Sequence, residues 1–504
     1  MSRNNYQKAV LTFIGVMAFP CSVMAKDYYV ACQASAAGDG SQSSPYATLA
    51  QINGQTLKPG DKVLFTSGTV CKGTFKPKGS GSDSQPVIIG KSGAGKLPLI
   101  DGNGAHDAIL IENMSNVTLQ DLEVINAANP GSERNGVQLR LEDYGESKNI
   151  TVKNMVIHNI RGGDNKKISG SSGIHVSVMG TNSPSFFDNL LIADNSVYDV
   201  DRSGIYFKSL WNKRPEVGKQ DTSGIGPWTP STRVVIRGNT LKSIAGDGIK
   251  VDTTQGTLIE KNTLAGFQLR SKEANAGIWA FNTQDVTMQY NDVSGGGSSR
   301  DGMSFDADGA AMNTLIQYNY SHNNGGGLLL LCPYSGAVTD NTVVRYNVSY
   351  NDKARLFQVC PGSSKGNKIY NNTIYHDGQD TVRFFQNDKS PLVEIEWSNN
   401  IVVNKGPTMQ LPQDSSQKFT FANNNFIGVG ALPNNADGSN NPGGSALDPE
   451  FVGPVSETNP TGYRLSAGSP ARNAGKVIAN NGGKDYDGAA VSETELPTIG
   501  AFSR

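Results

Sequence analysis

The stretch VVIRGNTLKSIAGDGIKVDTTQGTLIEKNTL, residues 234–264, contains two copies of one short pattern, apolar-x-x-Asn-x-apolar, centred on Asn239 and Asn262. Similar segments follow, such as VTMQYNDV (286–293) and KIYNNTIY (368–375). The repeated Asn falls at Asn195, Asn239, Asn262, Asn291, Asn319, Asn347, Asn372, Asn400 and Asn424. After a wider first interval, the Asn recurs with a period of about 26 residues, and a period of this length is the signature of a repeat architecture.

Each copy alternates apolar and polar residues with period 2, which predicts a short half-buried strand. A Gly-containing turn and a second short strand follow, as in SGIYF (203–207), DGIKV (247–251) and AGIWA (276–280). No window shows the 3.6-residue period of a long amphipathic helix. Short strands repeated without helices predict an all-β fold, a parallel β-solenoid. An Asn at one place in every coil is expected to form a structural ladder and to have no catalytic role.

These repeats resemble the right-handed parallel β-helix proteins of the pectate-lyase-like superfamily over about residues 95–430. The resemblance implies a single-stranded right-handed parallel β-helix at residues 96–430. Residues 26–95 would form an N-terminal cap with the first strands, and residues 431–504 a C-terminal segment packed on the helix. Because this fold carries lyases, hydrolases, epimerases and adhesive shafts, the resemblance is specific for fold and not for function.

Residues 1–25 read as a secretory signal peptide, with a basic start, an apolar core and a cleavage site near Ala25. Cys21 leaves a lipoprotein signal as an alternative. The predicted location is therefore secreted or periplasmic. Removing Arg3 and Lys8 leaves 42 basic against 45 acidic residues. This balance gives no nucleic-acid footprint, no other segment could span a membrane, and we expect a monomer.

Four Cys remain after the predicted cleavage. Cys332 and Cys360 are separated by one coil of the repeat, and each is followed by Pro. One coil of separation brings two residues within disulfide reach. We therefore predict the disulfides Cys332–Cys360 and Cys32–Cys71, in keeping with an oxidising compartment.

The side chains that point outward follow from aligning the second strands on their Gly, since strand side chains alternate. The first predicted outward column is Gln138, His175, Tyr206, Lys250, Trp279, Ser304 and Leu329. The second predicted outward column is Arg140, Ser177, Lys208, Asp252, Phe281, Asp306 and Leu331. Ionisable and aromatic residues on an open face are typical of a polysaccharide groove. Two enlarged coils, with Arg161–Lys167 in one and Trp211, Lys213, Arg214 and Trp228 in the other, are predicted to wall this groove.

Lys250 is the predicted catalytic base. Neighbouring cations such as Lys208 would lower its pKa, so that it could remove the proton α to a uronate carboxylate. Its segment is loosely similar to the Gly-Phe-Lys-Leu stretch that holds the base in one β-helix pectate-lyase family. That family's Asp-Asp-Gly-Phe-Asp calcium motif is not found, because this chain has Asp201-Arg-Ser-Gly-Ile there. The alternative is that Lys250 only pairs with Asp252 or other neighbours.

Asp252, Asp306 and Asp308 are predicted to lie on the same face, with Asp306 and Asp308 about 7 Å apart. They could bind Ca²⁺, assist proton transfer, or act as the acid and base of an inverting hydrolase. The signatures of β-helix polygalacturonases are absent, and FDAD (305–308) lacks the His of the Asp-Pro-His-Asp site in alginate epimerases. Asp308-Gly309 could also be only a turn, and Asp247 and Asp301 are interpreted as turn residues.

The leading hypothesis is a polysaccharide lyase that cleaves an acidic, uronate-containing polysaccharide by β-elimination. Its predicted catalytic residues are Lys250, Asp252, Asp306 and Asp308, and the last three are the possible Ca²⁺ ligands. The predicted substrate-binding residues are Arg140, His175, Tyr206, Lys208, Trp211 and Trp279. The alternatives are a glycoside hydrolase or uronan epimerase that uses the Asp cluster, and a non-catalytic glycan-binding or adhesive shaft.

Overall fold

A computed structural model describes residue 1 and residues 25–127, 132–166, 170–218, 224–334, 336–411, 414 and 416–503. The predicted signal peptide falls almost wholly outside these ranges. Within them the chain winds into a parallel β-helix whose coils contribute strands to three long sheets. Adjacent strands of each sheet are parallel, as the solenoid prediction requires. The predicted all-β parallel β-helix is confirmed.

The first sheet has 16 strands. Its strands are Asp27–Val30, Lys62–Thr66, Val87–Ser92, Val117–Gln120, Glu146–Lys153, Phe186–Ala193, Ser231–Thr232, Val235–Arg237, Thr254–Gln255, Leu258–Glu260, Thr287–Gln289, Leu315–Gln317, Val343–Arg345, Ser363–Tyr370, Leu392–Ser398 and Gln417–Ala422. The second sheet has 13 strands. Its strands are Val70–Lys72, Leu99–Asp101, Glu123–Asn126, Val156–Ile160, Ser196–Val200, Thr240–Ile244, Thr263–Ala265, Asp292–Ser294, Tyr320–His322, Val348–Tyr350, Thr373–His376, Ile401–Asn404 and Asn425–Ile427.

The third sheet has ten strands and carries the candidate site. Its strands are Asp107–Glu112, Asn135–Glu142, Ser172–Met179, Ser203–Ser209, Ile249–Asp252, Ile278–Phe281, Met303–Asp308, Gly327–Cys332, Arg355–Val359 and Arg383–Asn387. A small fourth sheet pairs Thr56–Leu57 with Lys78–Gly79. The described helical segments are the α-helix Leu49–Asn53 and the 3-10 turns Pro215–Val217 and Pro460–Tyr463. None of the helices in the described ranges is long and apolar enough to cross a membrane.

The repeated Asn residues form the predicted ladder at the turn from the first sheet to the second. Each side-chain amide donates a hydrogen bond of 2.9–3.0 Å to the side-chain oxygen of the Asn one coil further on, from Asn195 through to Asn424. The residue before each ladder Asn is left-handed, with φ between 51° and 65°. This conformation is costly for most residues, and the ladder hydrogen bonds offset that cost.

Both predicted disulfides are present. The Cα atoms are 5.1 Å apart in Cys32–Cys71 and 4.5 Å apart in Cys332–Cys360. The C-terminal segment lies against the shaft, where Asn371 and Asn399 donate to the carbonyls of Thr498 and Lys476.

Candidate active site

The outer face of the third sheet brings most of the predicted site residues together. His175, Tyr206, Lys250 and Trp279 follow one another in hydrogen-bonded register, one per coil, as predicted. The next residue in that column is Asp306, because Trp279 pairs with Asp306. Asp308 in turn pairs with Cys332 in the neighbouring column. The predicted positions of Ser304 and Leu329 in the first column, and of Asp306 and Leu331 in the second, are therefore wrong.

The predicted positions differ from the structure because the Gly of the repeat is replaced by Ser in the strand Met303–Asp308. Gly204, Gly248 and Gly277 stand where the third sheet approaches the second, and an added Cβ would come within 2.9 Å of an apolar side chain of the second sheet. The residue in register with Gly277 is Ser304, since Ile278 pairs with Phe305. Ser304 fits there because the second sheet has Ser321 at the facing position, and the two hydroxyls hydrogen-bond at 2.5 Å. Gly302, two residues earlier, belongs to the preceding turn.

This face is covered, whereas the sequence predicted an open groove. His175, Tyr206, Lys250, Trp279, Asp306 and Asp308 are each only 4–6% exposed. Loop residues lie over them: Lys166 Nζ is 5.2 Å from the centre of the Trp279 ring and donates to the carbonyl of Ala274. Contacts of this kind separate the carboxylates from solvent.

Lys250 lies in a cage of three aromatic rings beside a carboxylate. Its Nζ is 2.8 Å from Asp252 Oδ2 and lies 4.6, 5.1 and 5.3 Å from the ring centres of Tyr206, Trp279 and Phe281. Burial favours a lower pKa for Lys250, but the charge of Asp252, Tyr206 and the hydrogen bonds to both outweigh it. The pKa is raised well above its ordinary value. Lys250 is therefore held as an ammonium, which cannot accept a proton.

Asp306 and Asp308 form a pair of buried carboxyls with different partners. Asp308 Oδ2 accepts a hydrogen bond of 2.6 Å from the Tyr334 hydroxyl, and its Oδ1 accepts one of 2.8 Å from the Gly309 amide. Asp306 Oδ1 is buried without a hydrogen-bond partner among the described residues. Burial, reinforced by the charges of Asp308 and Asp301, raises the pKa of Asp306 well above its usual range. Burial also raises the pKa of Asp308 to about 7, although the Tyr334 bond opposes this.

Trp279 is fixed by a buried ion pair. Its indole Nε1 donates to Asp247 Oδ1 at 3.0 Å, and Asp247 Oδ2 is 2.8 Å from Arg202. Arg202 and Asp247 have no solvent exposure, and Arg202 also reaches Asp164 in the loop above the face. Asp247, which the sequence suggested was a turn residue, is thus an anchor for the aromatic centre of the site.

His175 lies at the other end of the column, edge-on to Tyr206 with ring centres 5.7 Å apart. Both of its ring nitrogens are buried without a hydrogen bond from any described residue. Burial lowers the pKa of His175 to about 3. A neutral imidazole offers one donor and one acceptor, which suits recognition of a hydroxyl group.

The remaining predicted substrate-binding residues are engaged elsewhere or lie at the margin. Arg140 pairs with Glu142 at 2.5 Å and lies 3.8 Å from Glu112. Trp211 is buried in the main hydrophobic cluster, apart from the column of His175, Tyr206, Lys250 and Trp279. Lys208 is partly exposed, and it lies two residues after Tyr206 in register with Ser177 of the preceding strand.

The three predicted calcium ligands do not form a preformed metal site. Nowhere in the described ranges do three or more His, Cys, Asp or Glu side chains group so as to hold a metal ion. Asp252 is neutralised by Lys250, and its register partner in the next coil is Phe281 rather than another carboxylate. Dependence on Ca²⁺ stays a prediction.

Two residues of the site were missed by the sequence reasoning, Asp247 and Tyr334. Tyr334 follows Cys332-Pro333 and lies about one repeat period after Asp306 in the chain. Residues separated by one period are neighbours in adjacent coils, so the period could have placed Tyr334 beside the Asp pair.

Comparisons with known proteins agree with this fold. The family model described as "Right handed beta helix region" matches residues 228–355. A lacto-N-biosidase of Bifidobacterium longum subsp. longum is 27% identical over 571 residues, covering 90% of this chain and 34% of that protein. The chain thus spans about a third of the length of this curated relative. The predicted resemblance to right-handed parallel β-helix proteins is confirmed.

Two solved structures share the architecture. The GH136 lacto-N-biosidase from Eubacterium ramulus is 24% identical with a TM-score of 0.61, covering 72% of this chain and 66% of that chain. XylC, solved in complex with xylose, is 13% identical with a TM-score of 0.53, covering 95% of this chain and 98% of that chain. At these identities the likeness establishes the fold alone.

Proposed function

We propose that this protein is a secreted carbohydrate-active enzyme that hydrolyses a glycosidic bond at the outer face of the third sheet. The observation that carries this proposal is the Asp306–Asp308 pair. A glycoside hydrolase needs two carboxyl groups that differ in protonation, one acid and one base or nucleophile. Asp306, whose Oδ1 has no hydrogen-bond partner among the described residues, has a pKa raised by burial and neighbouring charge, which favours its protonated form. Asp308, held by two donors, is the more readily ionised.

In this mechanism Asp306 donates its proton to the oxygen of the leaving sugar. Asp308 lies on the same strand, about 7 Å away along the backbone. It either takes a proton from the water that attacks the anomeric carbon as the glycosidic C–O bond breaks, or attacks that carbon itself and is released by water in a second step. Their surroundings already separate the pKa values of the two carboxyls, so that each is suited to its own role. Trp279, Tyr206 and His175 would bind the sugar next to them, by ring contact and by hydrogen bonds.

β-Elimination, the leading hypothesis from the sequence, is less well supported by this geometry. Its predicted base, Lys250, would have to be unprotonated, but Lys250 is paired with Asp252 inside an aromatic cage. Arg140, a predicted substrate-binding residue, already pairs with Glu142. The similarity to a lacto-N-biosidase also favours hydrolysis, and it makes lacto-N-biosides a substrate class worth testing first. Two disulfides agree with an oxidising, extracytoplasmic location.

The test is a panel of uncharged glycosides, including a chromogenic lacto-N-bioside, beside uronate polysaccharides. Reducing ends and absorbance near 235 nm are followed together. Hydrolysis predicts new reducing ends without absorbance, whereas a lyase product absorbs because it carries an unsaturated uronate. Binding of a glycan with neither signal would favour the non-catalytic shaft.

A further inference from the structure

The carboxylate of Asp308 is fixed at both oxygens, and one of the two donors comes from another coil. The Gly309 amide is local, but the Tyr334 hydroxyl reaches Oδ2 at 2.6 Å from the loop after the next strand. The neighbouring Asp306 has no such restraint on Oδ1 among the described residues. The orientation of one carboxyl of the pair therefore depends on where Tyr334 is held.

The Tyr334 ring is packed closely against Gly309 and Phe281. An added Cβ on Gly309 would lie 2.7 Å from Tyr334 Cδ2, so the ring rests directly on the Gly309 backbone. Its ring centre is 6.2 Å from that of Phe281. The backbone of Tyr334 is left-handed, with φ of 64°, a conformation that a Tyr keeps only when its surroundings impose it.

Two further elements hold the segment that carries Tyr334. The Cys332–Cys360 disulfide joins the strand end, two residues before Tyr334, to the next coil. On the other side, the enlarged coil predicted to wall a groove packs against this segment: the Val338 amide donates to the carbonyl of Glu216 at 3.0 Å. Arg214 of the same insertion donates to the carbonyls of Thr283 and Ala310. The insertion thus supports the loop beside the Asp pair.

We propose that Tyr334 is a positioning residue for Asp308, and that the Cys332–Cys360 disulfide serves the active site by holding Tyr334 in place. The inference rests on the proposed hydrolase function for its kinetic consequence, but not for its structural one. The hydrogen bond from Tyr334 holds the Asp308 carboxylate in one orientation toward a bound substrate. Without the Tyr334 hydroxyl, only the Gly309 amide would hold this carboxylate, and it would adopt other orientations as well.

The kinetic test compares Tyr334→Phe and Gly309→Ala with the matched control Tyr346→Phe. Tyr346 is a buried Tyr whose hydroxyl has no hydrogen-bond partner in the described part of the chain. Both site variants should lose about 10- to 100-fold in kcat, the size expected when a catalytic group is misplaced, with little change in KM. The control should keep wild-type kcat. Unchanged kcat in Tyr334→Phe, or an equal loss in the control, would overturn the inference.

A second comparison separates the role of the disulfide from general stability. Cys332→Ser/Cys360→Ser and Cys32→Ser/Cys71→Ser should both lower the melting temperature, but only the first should lower kcat. Equal kcat in the two folded variants would refute a site role for Cys332–Cys360.

A spectroscopic test needs no substrate. The Raman tyrosine doublet of Tyr334, isolated as wild type minus Tyr334→Phe, should show a strong hydrogen-bond donor, and Asp308→Asn should weaken it. If Asp308→Asn leaves the doublet unchanged, the inference is refuted even if hydrolysis is observed. An intact donor signature with no hydrolysis of any glycan would instead refute the proposed function alone.

Discussion

Replacing Lys250 by Met should destabilise the protein, because it leaves the buried charge of Asp252 without a partner. When that charge is also removed, by Asp252→Asn, the protein should recover its stability and keep its catalytic activity. Lys250 and Asp252 are each 6% exposed, and their charged atoms are 2.8 Å apart. Removing one partner of a buried ion pair leaves an uncompensated charge and costs roughly 3–5 kcal/mol. Asp252→Asn in the same chain removes that charge and keeps the oxygen that accepts from Thr253.

The double variant Lys250→Met/Asp252→Asn should therefore recover most of the lost free energy, because a neutral pair of similar volume is often as stable as a buried ion pair. Lys242→Met, on the exposed side of the second sheet, is the control and should change stability by less than about 0.5 kcal/mol. Chemical denaturation followed by tryptophan fluorescence measures each free energy of unfolding.

Activity of the double variant then decides the role of Lys250. A structural ammonium predicts that kcat stays within about tenfold of wild type, since no proton passes through Lys250. A catalytic base predicts a loss of about 10²- to 10⁴-fold. A well-folded double variant with that loss would refute the reasoning and restore Lys250 as the base.

Three further predictions follow from single sites. Asn319→Ala removes four buried hydrogen bonds: Asn319 donates to Met288 and Asn347, and accepts twice from Asn291. At roughly 1 kcal/mol each, the free energy of unfolding should fall by about 4 kcal/mol. An equal effect of the exposed Asn440→Ala in chemical denaturation would contradict the role of the ladder. The pKa of Asp308 is raised by folding to about 7, so native protein binds more protons than unfolded protein between about pH 4 and 7 and stability falls as pH rises there. Asp308→Asn should therefore gain up to about 4 kcal/mol on wild type between pH 4 and pH 8, and a pH-independent difference would be inconsistent with that shift. EDTA should leave activity unchanged, because Lys250 already neutralises Asp252; loss of activity restored by Ca²⁺ would support the predicted calcium site.

The fold was predictable because its signals are local and repeated. The Asn ladder recurs at nine positions, and every coil reinforces the same period. The Cys332–Cys360 disulfide followed from the same arithmetic, because a spacing of one coil fixes which residues are neighbours. Even so, the alignment predicted for the strand Met303–Asp308 is wrong by two residues, because it is based on Gly302. In the structure Ser304 takes the place of the usual Gly, and Ser321 takes the place of the facing apolar residue.

The state of the site could not be predicted because it depends on residues far apart in the chain. Lys250 is predicted to be a base on an open face, but in the structure it is buried, paired with Asp252 and surrounded by aromatic rings from three neighbouring strand positions on two other coils, Tyr206 on one and Trp279 and Phe281 on the other. Tyr334 lacks any motif, and only its place one coil beyond the Asp pair brings it to Asp308. Asp247 resembles any Asp-Gly turn until its partner Arg202 is seen.

The most direct measurement of the central claim is the kcat of Asp306→Asn and Asp308→Asn on the first glycan that the wild-type protein cleaves. If this pair performs the hydrolysis, each variant should lose at least about 10²- to 10⁴-fold in kcat. Each should also be as stable as wild type or more so at neutral pH, because a buried titrating group has been removed. Near-wild-type kcat in either folded variant would contradict the account.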